Sequence, residues 1–367
     1  MTAQPGRRRI LILATVLTSM TVALAVSAGV YMLLERPSYR LLGSLRQAGL
    51  VRAYLLNPAL RRFARTLAAQ DPKTDLIATL WDTNTGVFLS RRMYREVTMD
   101  GVLKYAYKPG LHKLGFRTGA SGFHWNMETE DTPSIHAALA ELDTPFMVTA
   151  SYDSNGFRRV DPPLTTGCAV HALFLGDSYT DGLWVNDAET FVSEYGQIVR
   201  ERSGVGLCPV NAGVNGYGSA EEAYVLEHEF ESAGRPAFVF VMFFANDVDA
   251  DYDRVIKGTL AERDRRWDES LTQIGRMKQF ADAHGAALVI AAIPTADQVF
   301  SHRSQEYYQR VLREFSAREG IRFVNLVEHF DANEARSFYW DWDPHFTPRG
   351  HRAVAEALYA ETAVLYK

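Results

Sequence analysis

The sequence predicts an α/β fold for residues 163–367, in which a mostly parallel sheet is covered by helices. Two observations support this prediction. Short, wholly apolar runs alternate there with longer stretches of helical periodicity, as in strand–helix–strand units. In addition, polar motifs follow directly after several of the apolar runs, where open parallel sheets hold their chemistry. With 47% hydrophobic and 23% charged residues, the 367-residue chain has enough apolar material for such a core.

Five of the apolar runs are predicted as strands, over residues 169–175, 209–213, 238–244, 287–293 and 321–326. Helical periodicity predicts four helices between them, over residues 188–202, from Ser219 onward, over 268–284 and over 305–319. Ser219 is expected to cap its helix, because Glu221 and Glu222 then lie in the first turn, where the helix dipole favours negative charge. A final helix is predicted to begin near Pro348, since proline suits the first helical position.

The preceding residues, 75–162, show a different pattern and are predicted to form a β-rich accessory region. Alternating runs at 76–81 and 102–107 are separated by turn signals such as Asn84-Thr85-Gly86 and Pro109-Gly110. Its aromatic residues suit either a core or a sugar-binding surface, and those concerned are Trp81, Phe123 and Trp125.

The N-terminal segment is predicted to be a membrane anchor. Arg7-Arg8-Arg9 precede an uncharged apolar run over residues 10–34, whose 25 residues would form a helix of about 37 Å, against about 30 Å for the bilayer core. We therefore expect residues 1–36 to be a retained signal-anchor in the cell membrane, with a cleaved signal peptide ending near Val26-Ser27-Ala28 as the alternative. The arginines favour a cytoplasmic N-terminus and an extracytoplasmic catalytic body, periplasmic or extracellular. Residues 37–74 are predicted as a helical linker.

Charge and motif content argue against several classes of function. The net charge is −5 and no basic block follows the N-terminus, so nucleic acid is not an expected partner. No cluster has zinc-ligand spacing, so no metal site is predicted. No glycine-rich loop is followed by Lys-Ser/Thr, so no nucleotide cofactor is expected either.

The two cysteines, Cys168 and Cys208, each precede a predicted strand. On neighbouring strands they could form a disulfide in an oxidising compartment. Their offsets from the strand ends differ, so free buried thiols are an equal alternative.

Four polar groups are expected to meet at the carboxyl ends of the predicted strands. Ser178 follows the first strand, Gly216 lies in a glycine-containing segment after the second, and Asn246 follows the third. The fourth group, Asp341-Trp342-Asp343-Pro344-His345, lies between the fifth strand and the last helix. Facing one crevice, these groups would form an acyl-transfer site.

In that site, Ser178 is the predicted nucleophile and His345 the base, with a neighbouring carboxylate that holds the imidazole in the required tautomer. The developing oxyanion would be bound by the backbone N–H groups of Ser178 and Gly216 and by the side-chain amide of Asn246. Glycine suits its position because the backbone there must approach the substrate without obstruction by a β-carbon.

The ordered blocks that contain these residues resemble those of the GDSL/SGNH hydrolase family. The blocks are Gly176-Asp177-Ser178, Asn211-Ala212-Gly213-Val214-Asn215-Gly216, Ala245-Asn246-Asp247 and Asp343-Pro344-His345, and the resemblance covers residues 154–367. It implies a flavodoxin-like three-layer α/β/α fold and the same roles for the site residues as those given above. The segment Tyr152-Asp153-Ser154-Asn155-Gly156-Phe157-Arg158 is also similar to the lead-in of membrane-anchored bacterial members.

Two positions depart from the family pattern. The family usually has its acid three residues before the histidine, but that position is Trp342 here, with Asp343 two residues before His345 and Asp341 four before it. Some members are similar in having Asp-x-His, so Asp343 is the predicted acid and Asp341 the alternative. In the third block, Ala245 replaces a usual glycine, and we expect this small side chain to be tolerated.

Four further polar residues are predicted to have structural roles. Asp181 is expected to cap the following helix, with orientation of the substrate as the alternative, and Asp247 is expected to accept a structural hydrogen bond. His351 is expected to be structural in the last helix, and His171 to be a hydrogen-bonded core histidine of the first strand.

The sequence therefore predicts a membrane-anchored serine esterase of the GDSL/SGNH type, acting on O-acyl esters, in the first place acetyl esters, of an envelope or secreted glycan. An O-acyltransferase is the closest alternative, because it would use the same acyl-enzyme. A third hypothesis is a non-catalytic envelope protein that binds a glycan or a partner in the cleft, and the unusual acid spacing is its only support.

Overall fold

The computed structural model describes residues 80–81, 94–118, 121–127, 147–163, 167–248, 260–301, 306–340 and 343–367. The predicted signal-anchor and helical linker lie outside the described residues, as does the Asn84-Thr85-Gly86 turn. Within the described part of the chain, no helix combines the length and the apolar character that crossing a membrane requires.

Antiparallel strands make up the described part of residues 75–162. The strands β1 (Leu80–Trp81), β4 (His112–Thr118), β5 (Ser121–Met127) and β6 (Met147–Ser151) form a sheet with the order β1-β5-β4-β6. β2 (Tyr94–Met99) and β3 (Val102–Tyr107) form a separate hairpin, called the tyrosine hairpin below. Its turn, Asp100-Gly101, has φ angles of 47° and 82°, the positive values that a two-residue hairpin turn of this kind requires. The side chains of Trp81, Phe123 and Trp125 lie outside the described part, so their proposed sugar site remains a prediction.

A central sheet of five parallel strands forms the body of the molecule. Its strands are β7 (Val170–Gly176), β8 (Leu207–Asn211), β9 (Phe238–Phe243), β10 (Ala287–Ala292) and β11 (Arg322–Asn325). They lie in the order β8-β7-β9-β10-β11, and every neighbouring pair is parallel. This is the flavodoxin-like strand order, with the topological switch point between β7 and β9. The predicted parallel sheet is confirmed.

Helices cover both faces of this sheet. They are α1 (Ser178–Asp181), α2 (Phe191–Ser203), α3 (Ser219–Glu229), α4 (Leu260–Ala283), α5 (Ala296–Ser301), α6 (Tyr307–Glu319), α7 (Ala335–Phe338) and α8 (Pro348–Thr362). Leu173 and Leu175 of β7 pack in one core with α3, α4 and α6, whereas Ala172 and Phe174 pack in a second core with α2 and α8. Because successive side chains of a strand point to opposite faces, these cores are the two interfaces of a three-layer α/β/α arrangement.

Three predicted boundaries are wrong, each for a local reason. β8 begins at Leu207, two residues before the predicted start, so the apolar run extends through Cys208. Ser219 is the first residue of α3 and not its cap; Gly218 has that position, and its N–H donates to the Glu221 carboxylate at 3.1 Å. The helix predicted from residue 268 is already present at Leu260.

Cys168 and Cys208 form a disulfide, with their Cα atoms 5.5 Å apart. The strand register explains the reach, because pairing of β7 with β8 places His171 opposite Cys208 and thus brings the start of β7 close to it. The alternative of free buried thiols is therefore wrong, and Cys168 is moreover exposed.

The segment before the last helix, predicted as a loop, contains a short antiparallel hairpin. Its strands are β12 (Tyr339–Trp340) and β13 (Asp343–Phe346), with Tyr339 paired to Phe346. Phe346 is completely buried in the second core, so the hairpin is attached to the body by its own apolar side chain. It holds the predicted catalytic histidine on a strand instead of on a free loop.

Candidate active site

Ser178 is the first residue of α1, directly after the central strand β7. The side chain of Asp177 caps this helix by accepting the backbone N–H of Tyr179 at 2.8 Å. Only 7% of Ser178 is exposed, so its surroundings are largely shielded from bulk water. Because β7 lies between β8 and β9, the turns that follow those two strands flank the serine.

His345 reaches Ser178 from β13. Its Nε2 lies 2.7 Å from the Oγ of Ser178, and its Nδ1 is hydrogen-bonded to Oδ1 of Asp343. The same carboxylate oxygen accepts the backbone N–H of His345 at 3.0 Å. The structure thus joins the hydroxyl, the imidazole and the carboxylate in one hydrogen-bonded chain. Asp341 and Trp342 lie outside the described residues, and Asp343 makes the contact that a triad acid requires.

Tyr179, a residue that no motif had indicated, connects the serine turn to the histidine strand. Its hydroxyl donates to the carbonyl oxygen of Pro344 at 2.8 Å, and its ring packs on the imidazole with the centroids 4.7 Å apart. Tyr179 is the neighbour of Ser178, and Pro344 is the neighbour of His345. One side chain therefore holds the two reacting residues at a fixed separation.

The charges around the imidazole favour its protonated form. Burial acts to lower the pKa of His345, but the charge and hydrogen bond of Asp343 act against it, and the pKa is raised overall. Burial likewise acts to raise the pKa of Asp343, yet His345 holds it below its ordinary value. The pair would therefore stabilise an imidazolium formed if His345 accepted a proton from Ser178.

Trp184 supports the acid and was also missed from the sequence. It is completely buried and has a φ of 70°, a left-handed conformation that is unusual for a bulky residue. The Trp184 side chain contributes to the lowered pKa of Asp343. Backbone strain of this kind is concentrated at functional sites, where the surroundings enforce it.

The two predicted oxyanion donors lie in the turns that flank Ser178. Gly216 belongs to residues 213–218, called the glycine loop below, which connect β8 to α3. Asn246 lies in the 3₁₀ turn Ala245–Asp247 that follows β9. The Asn246 side chain acts on the nearby Asp177 carboxyl and lowers its pKa, against the larger effect of burial.

The glycine loop lies directly against the serine helix. Asn211, at the end of β8, donates its side-chain N–H to the carbonyl oxygen of Thr180 at 2.8 Å. A β-carbon at Gly213 would lie 2.2 Å from the backbone nitrogen of Asp181, so only glycine permits this approach. The loop and the serine turn are therefore positioned together.

Three buried carboxyl groups next to the site interact through their charges. Burial raises the pKa of Asp177 to about 6. Burial and then repulsion from neighbouring carboxylates raise the pKa values of Glu222 and Asp247 well above their ordinary values. Neither carboxyl oxygen of Glu222 has a hydrogen-bond partner within the described part of the chain. Burial and mutual repulsion thus both favour the protonated forms of Glu222 and Asp247.

Asp181 has a different role from the predicted helix cap. It is the last residue of α1, and its carboxylate accepts hydrogen bonds from two buried tyrosine hydroxyls, Tyr107 at 3.0 Å and Tyr152 at 2.5 Å. Both tyrosines precede the parallel sheet in the chain, Tyr107 in the tyrosine hairpin and Tyr152 directly after β6. The expectation that Asp181 caps the next helix is wrong because that helix, α2, is capped by Thr190.

Arg158, from the segment that resembles the family's lead-in, is a buried cation beneath the same turn. Its guanidinium donates to the carbonyl oxygens of Asp181, Gly182 and Val185 and pairs with Asp187 at 3.1 Å. One side chain thus satisfies three buried carbonyls that follow the serine helix.

The remaining polar predictions are consistent with structural roles. Asp247 accepts the backbone N–H of Phe244 at 3.1 Å, and His351 is buried with its Nδ1 accepting the backbone N–H of Phe191 at 3.2 Å. His171 contacts the carbonyl oxygen of Ala233 at 3.3 Å, although it is only half-buried and so is not a core residue.

Among the described residues, one group has the composition of a metal site: Cys168, His171 and Cys208. Both cysteines are in the disulfide, which removes the thiolates that would bind a metal. The chain that joins Ser178, His345 and Asp343 is complete without such a group. A hydroxyl in contact with an imidazole, itself held by a carboxylate, can transfer acyl groups through a covalent intermediate.

Comparison with known proteins agrees with this chemistry. Residues 174–353 match the model of the GDSL-like lipase/acylhydrolase family, a span that contains all the site residues named above from Ser178 to His345. No curated protein matches the chain at a significant level.

Several solved structures are similar to part of the chain. Axe2, an acetylxylan esterase from Geobacillus stearothermophilus, is 20% identical with a TM-score of 0.41, and the match covers 53% of this chain and 94% of Axe2. TesA is 19% identical with a TM-score of 0.42, covering 53% and 99% of the two chains. LAE5, an α/β hydrolase from the metagenome of Lake Arreo, Spain, is 19% identical with a TM-score of 0.42, covering 54% and 97%. Residues 174–353 are therefore a GDSL-like lipase/acylhydrolase domain, and the chain is a serine ester hydrolase, as the sequence predicted.

Proposed function

We propose that Ser178 is the nucleophile of an esterase that acts on O-acyl esters. The observation that carries this proposal is the 2.7 Å contact between the Oγ of Ser178 and Nε2 of His345, with Asp343 on the opposite ring nitrogen. A serine hydroxyl is a weak nucleophile unless a base lies within hydrogen-bonding distance. Here that base is in place before a substrate binds.

In the first half of the reaction, the Oγ of Ser178 attacks the ester carbonyl carbon while His345 accepts the hydroxyl proton. The carbonyl oxygen becomes an oxyanion, which the N–H groups of Ser178 and Gly216 and the amide of Asn246 would bind. The tetrahedral intermediate then collapses. The bond to the alcohol oxygen breaks, His345 gives its proton to that oxygen, and the acyl group remains on the serine.

In the second half, water attacks the acyl-enzyme. His345 takes a proton from this water, the same donors bind the second oxyanion, and the carboxylic acid leaves as the proton returns to Ser178. Asp343 acts in both halves, because an imidazolium forms each time and its charge is stabilised by the adjacent carboxylate.

The proposed substrate is an O-acyl, in the first place acetyl, ester of an envelope or secreted glycan, with the catalytic body outside the cytoplasmic membrane. Two features support this setting. The disulfide between Cys168 and Cys208 suits an oxidising compartment, where such bonds persist. The apolar run of residues 10–34 has the length of a membrane-spanning helix.

The test combines aryl acetate hydrolysis with covalent labelling by a fluorophosphonate, followed by peptide mapping. Wild-type protein should be labelled at Ser178, and Ser178→Ala should lose label and at least about a thousandfold of kcat. Ser203→Ala is the matched control, because Ser203 lies at the far end of α2, where its hydroxyl donates to the carbonyl of Val199 at 2.6 Å and accepts the backbone N–H of Val205 at 3.3 Å. Full turnover by Ser178→Ala would contradict the proposal.

The same assay distinguishes a hydrolase from a transferase when an oligosaccharide is added with the aryl acetate. Free acetate should be the main product. Acetylated sugar formed faster than acetate would replace the esterase assignment by an acyltransferase that uses the same acyl-enzyme. Absence of both products and of label would instead favour a non-catalytic binding protein.

A further inference from the structure

We infer that Tyr105, in the tyrosine hairpin, is the positioning residue for the N–H of Gly216. The inference rests on the proposed function, because it concerns a group that binds the oxyanion. It adds a role for a region that precedes the family's matched residues, 174–353, in the chain.

Tyr105 contacts the glycine loop on both sides of Gly216. Its hydroxyl donates a hydrogen bond to the carbonyl oxygen of Asn215 at 3.0 Å. In return, the hydroxyl of Tyr217 donates to the backbone carbonyl oxygen of Tyr105. The residues immediately before and after the glycine are therefore both bound to the same residue of the hairpin.

The first of these bonds bears directly on the oxyanion donor. The carbonyl of Asn215 and the N–H of Gly216 belong to one peptide unit, which is planar and trans, so the two groups point in opposite directions. When Tyr105 holds the carbonyl, it also sets the direction of the N–H. Rotation of this peptide would turn the N–H away from the substrate and bring a carbonyl oxygen toward it, which would repel an oxyanion.

The glycine loop needs such a restraint because its sequence is permissive. Gly216 has a φ of +79°, and glycine adopts positive and negative φ about equally well, so the chain itself specifies the peptide's direction weakly. The hydroxyl of Tyr105 is close enough to lie 2.9 Å from the position of a β-carbon on Gly216. The restraint is thus applied at the flexible residue itself.

Tyr105 is suited to a permanent donor role. Burial and then the charge of Glu221 raise the pKa of Tyr105, so its hydroxyl stays protonated at neutral pH. Its ring packs edge-on against Tyr94 with the centroids 4.7 Å apart, which limits rotation of the side chain. A protonated, immobilised hydroxyl can hold a carbonyl oxygen in one direction.

The hairpin itself is docked to the body by contacts that do not involve Tyr105. Tyr107 is 1% exposed, and its hydroxyl donates to Asp181 at the end of the serine helix. Ion pairs join Lys104 to Glu221 and Asp100 to Arg276, the latter at 2.6 Å. Exposed ion pairs contribute little on their own, so the buried tyrosines carry most of the docking.

The test is Tyr105→Phe, which removes one hydroxyl and keeps the ring and its packing. We expect kcat for an aryl acetate to fall about tenfold, less than the hundredfold or more that loss of an oxyanion donor costs, with KM within about twofold of wild type. An aryl boronic acid, which forms a tetrahedral adduct on the serine, should bind about tenfold more weakly. A purely structural role would lower the melting temperature without separating kcat from KM.

Tyr94→Phe is the matched control, since Tyr94 belongs to the same hairpin and its buried hydroxyl donates to no residue of the glycine loop. It should leave kcat and the boronate affinity unchanged. Tyr217→Phe should also lower kcat. The fold-loss of kcat in the double variant Tyr105→Phe/Tyr217→Phe should be smaller than the product of the two single fold-losses, because both hydrogen bonds hold the same contact between the hairpin and the glycine loop.

The outcomes separate this inference from the proposed function. Wild-type kcat and boronate affinity in Tyr105→Phe, with Ser178 still labelled by fluorophosphonate, would overturn the role of Tyr105 and leave the esterase assignment intact. A wild-type protein that is neither labelled at Ser178 nor active would overturn both. A selective loss of kcat together with boronate affinity supports the inference.

Discussion

The parallel sheet and the tyrosine hairpin serve the same site in different ways. The sheet supplies the reactive groups from the ends of its strands, and its hydrogen-bonded chain from Ser178 to His345 is complete within residues 178–345. The hairpin supplies no group to that chain. Its hydroxyls bind instead to Asp181 and Asn215, which lie close in the chain to Ser178, the proposed nucleophile, and Gly216, the proposed oxyanion donor.

The difference separates reactivity from alignment. Removing a group of the sheet should remove a chemical step, because no other residue can replace it. Removing a hydroxyl of the hairpin should leave every step possible but less well aligned, and it should also cost stability. The predictions below test this division, from the largest expected effect to the smallest.

Asp343→Asn should lower kcat by roughly a thousandfold or more, because the amide would favour the wrong imidazole tautomer and would not stabilise the imidazolium. Asp341→Asn should stay within about twofold of wild type. Aryl acetate kinetics on both variants decide the matter. A large loss in Asp341→Asn with a small one in Asp343→Asn would exchange the two assignments.

Removal of the disulfide tests how the sheet itself is held. Cys168→Ser/Cys208→Ser removes a cross-link between two residues that are 40 positions apart. The loop-closure entropy of such a cross-link corresponds to about 4 kcal/mol of unfolding free energy. Urea unfolding should show this loss, while kcat at 25 °C should be unchanged, because the bond lies at the amino ends of β7 and β8, opposite the site. A fall in kcat without a fall in stability would contradict this separation.

Gly216→Ala should lower kcat about a hundredfold, because its φ of +79° and the 2.9 Å approach to Tyr105 both oppose a β-carbon. Gly320→Ala is the control: its φ is +66°, but no atom lies within 4 Å of the added carbon. That variant should lose only about 1 kcal/mol of stability and no activity. Equal kinetic losses in both would show that backbone strain, and not the oxyanion donor, is responsible.

Tyr107→Phe should cost about 1–3 kcal/mol of unfolding free energy, because a buried carboxylate, Asp181, loses one of its two tyrosine donors. kcat should fall less than about threefold. Thermal or urea unfolding beside that of Tyr94→Phe provides the measurement. A kinetic loss as large as that of Asp343→Asn would place the hairpin among the reactive groups and end the distinction drawn above.

The pH profile should show the smallest but most diagnostic effect. Burial acts to lower the pKa of His345, but Asp343, followed by Asp177 and Asp181, raises it overall. Catalysis needs the neutral imidazole. kcat/KM should therefore fall as the pH drops, with a midpoint above the ordinary histidine value of about 6.5. In Asp343→Asn the midpoint of the residual activity should move to lower pH. NMR titration of the imidazole protons can check both values, and a midpoint below 6 in the wild type would contradict the charge pairing.

The site residues were easier to predict from the sequence than the residues that hold them in position. Ser178, Gly216 and Asn246 were predicted because each follows a predicted strand and strand ends of a parallel sheet share one edge. His345 was predicted from the Asp-Pro-His block before the last helix. Their blocks also occur in a recognisable order. Asp343 was predicted in preference to Asp341 because some members of the family are similar in having Asp-x-His.

The supports could not be found in this way, because they depend on contacts between distant parts of the chain. Tyr105 and Asn215 are 110 residues apart, and no periodic pattern links them. Trp184 has a left-handed backbone that propensity would assign to glycine. The disulfide could not be decided from the sequence, because it depends on the register of β7 and β8. β8 begins two residues earlier than its apolar pattern indicated.

Arg158 has a practical consequence for defining a minimal folding unit. A fragment that starts at residue 163, where the sequence suggests a boundary, would contain the whole parallel sheet and every reactive group. It would nevertheless lack the guanidinium that binds the carbonyls of Asp181, Gly182 and Val185, which would lose these buried hydrogen bonds. A fragment meant to keep these contacts therefore has to begin before Arg158, so truncation at the apparent domain edge should lower the stability of the turn after the serine helix.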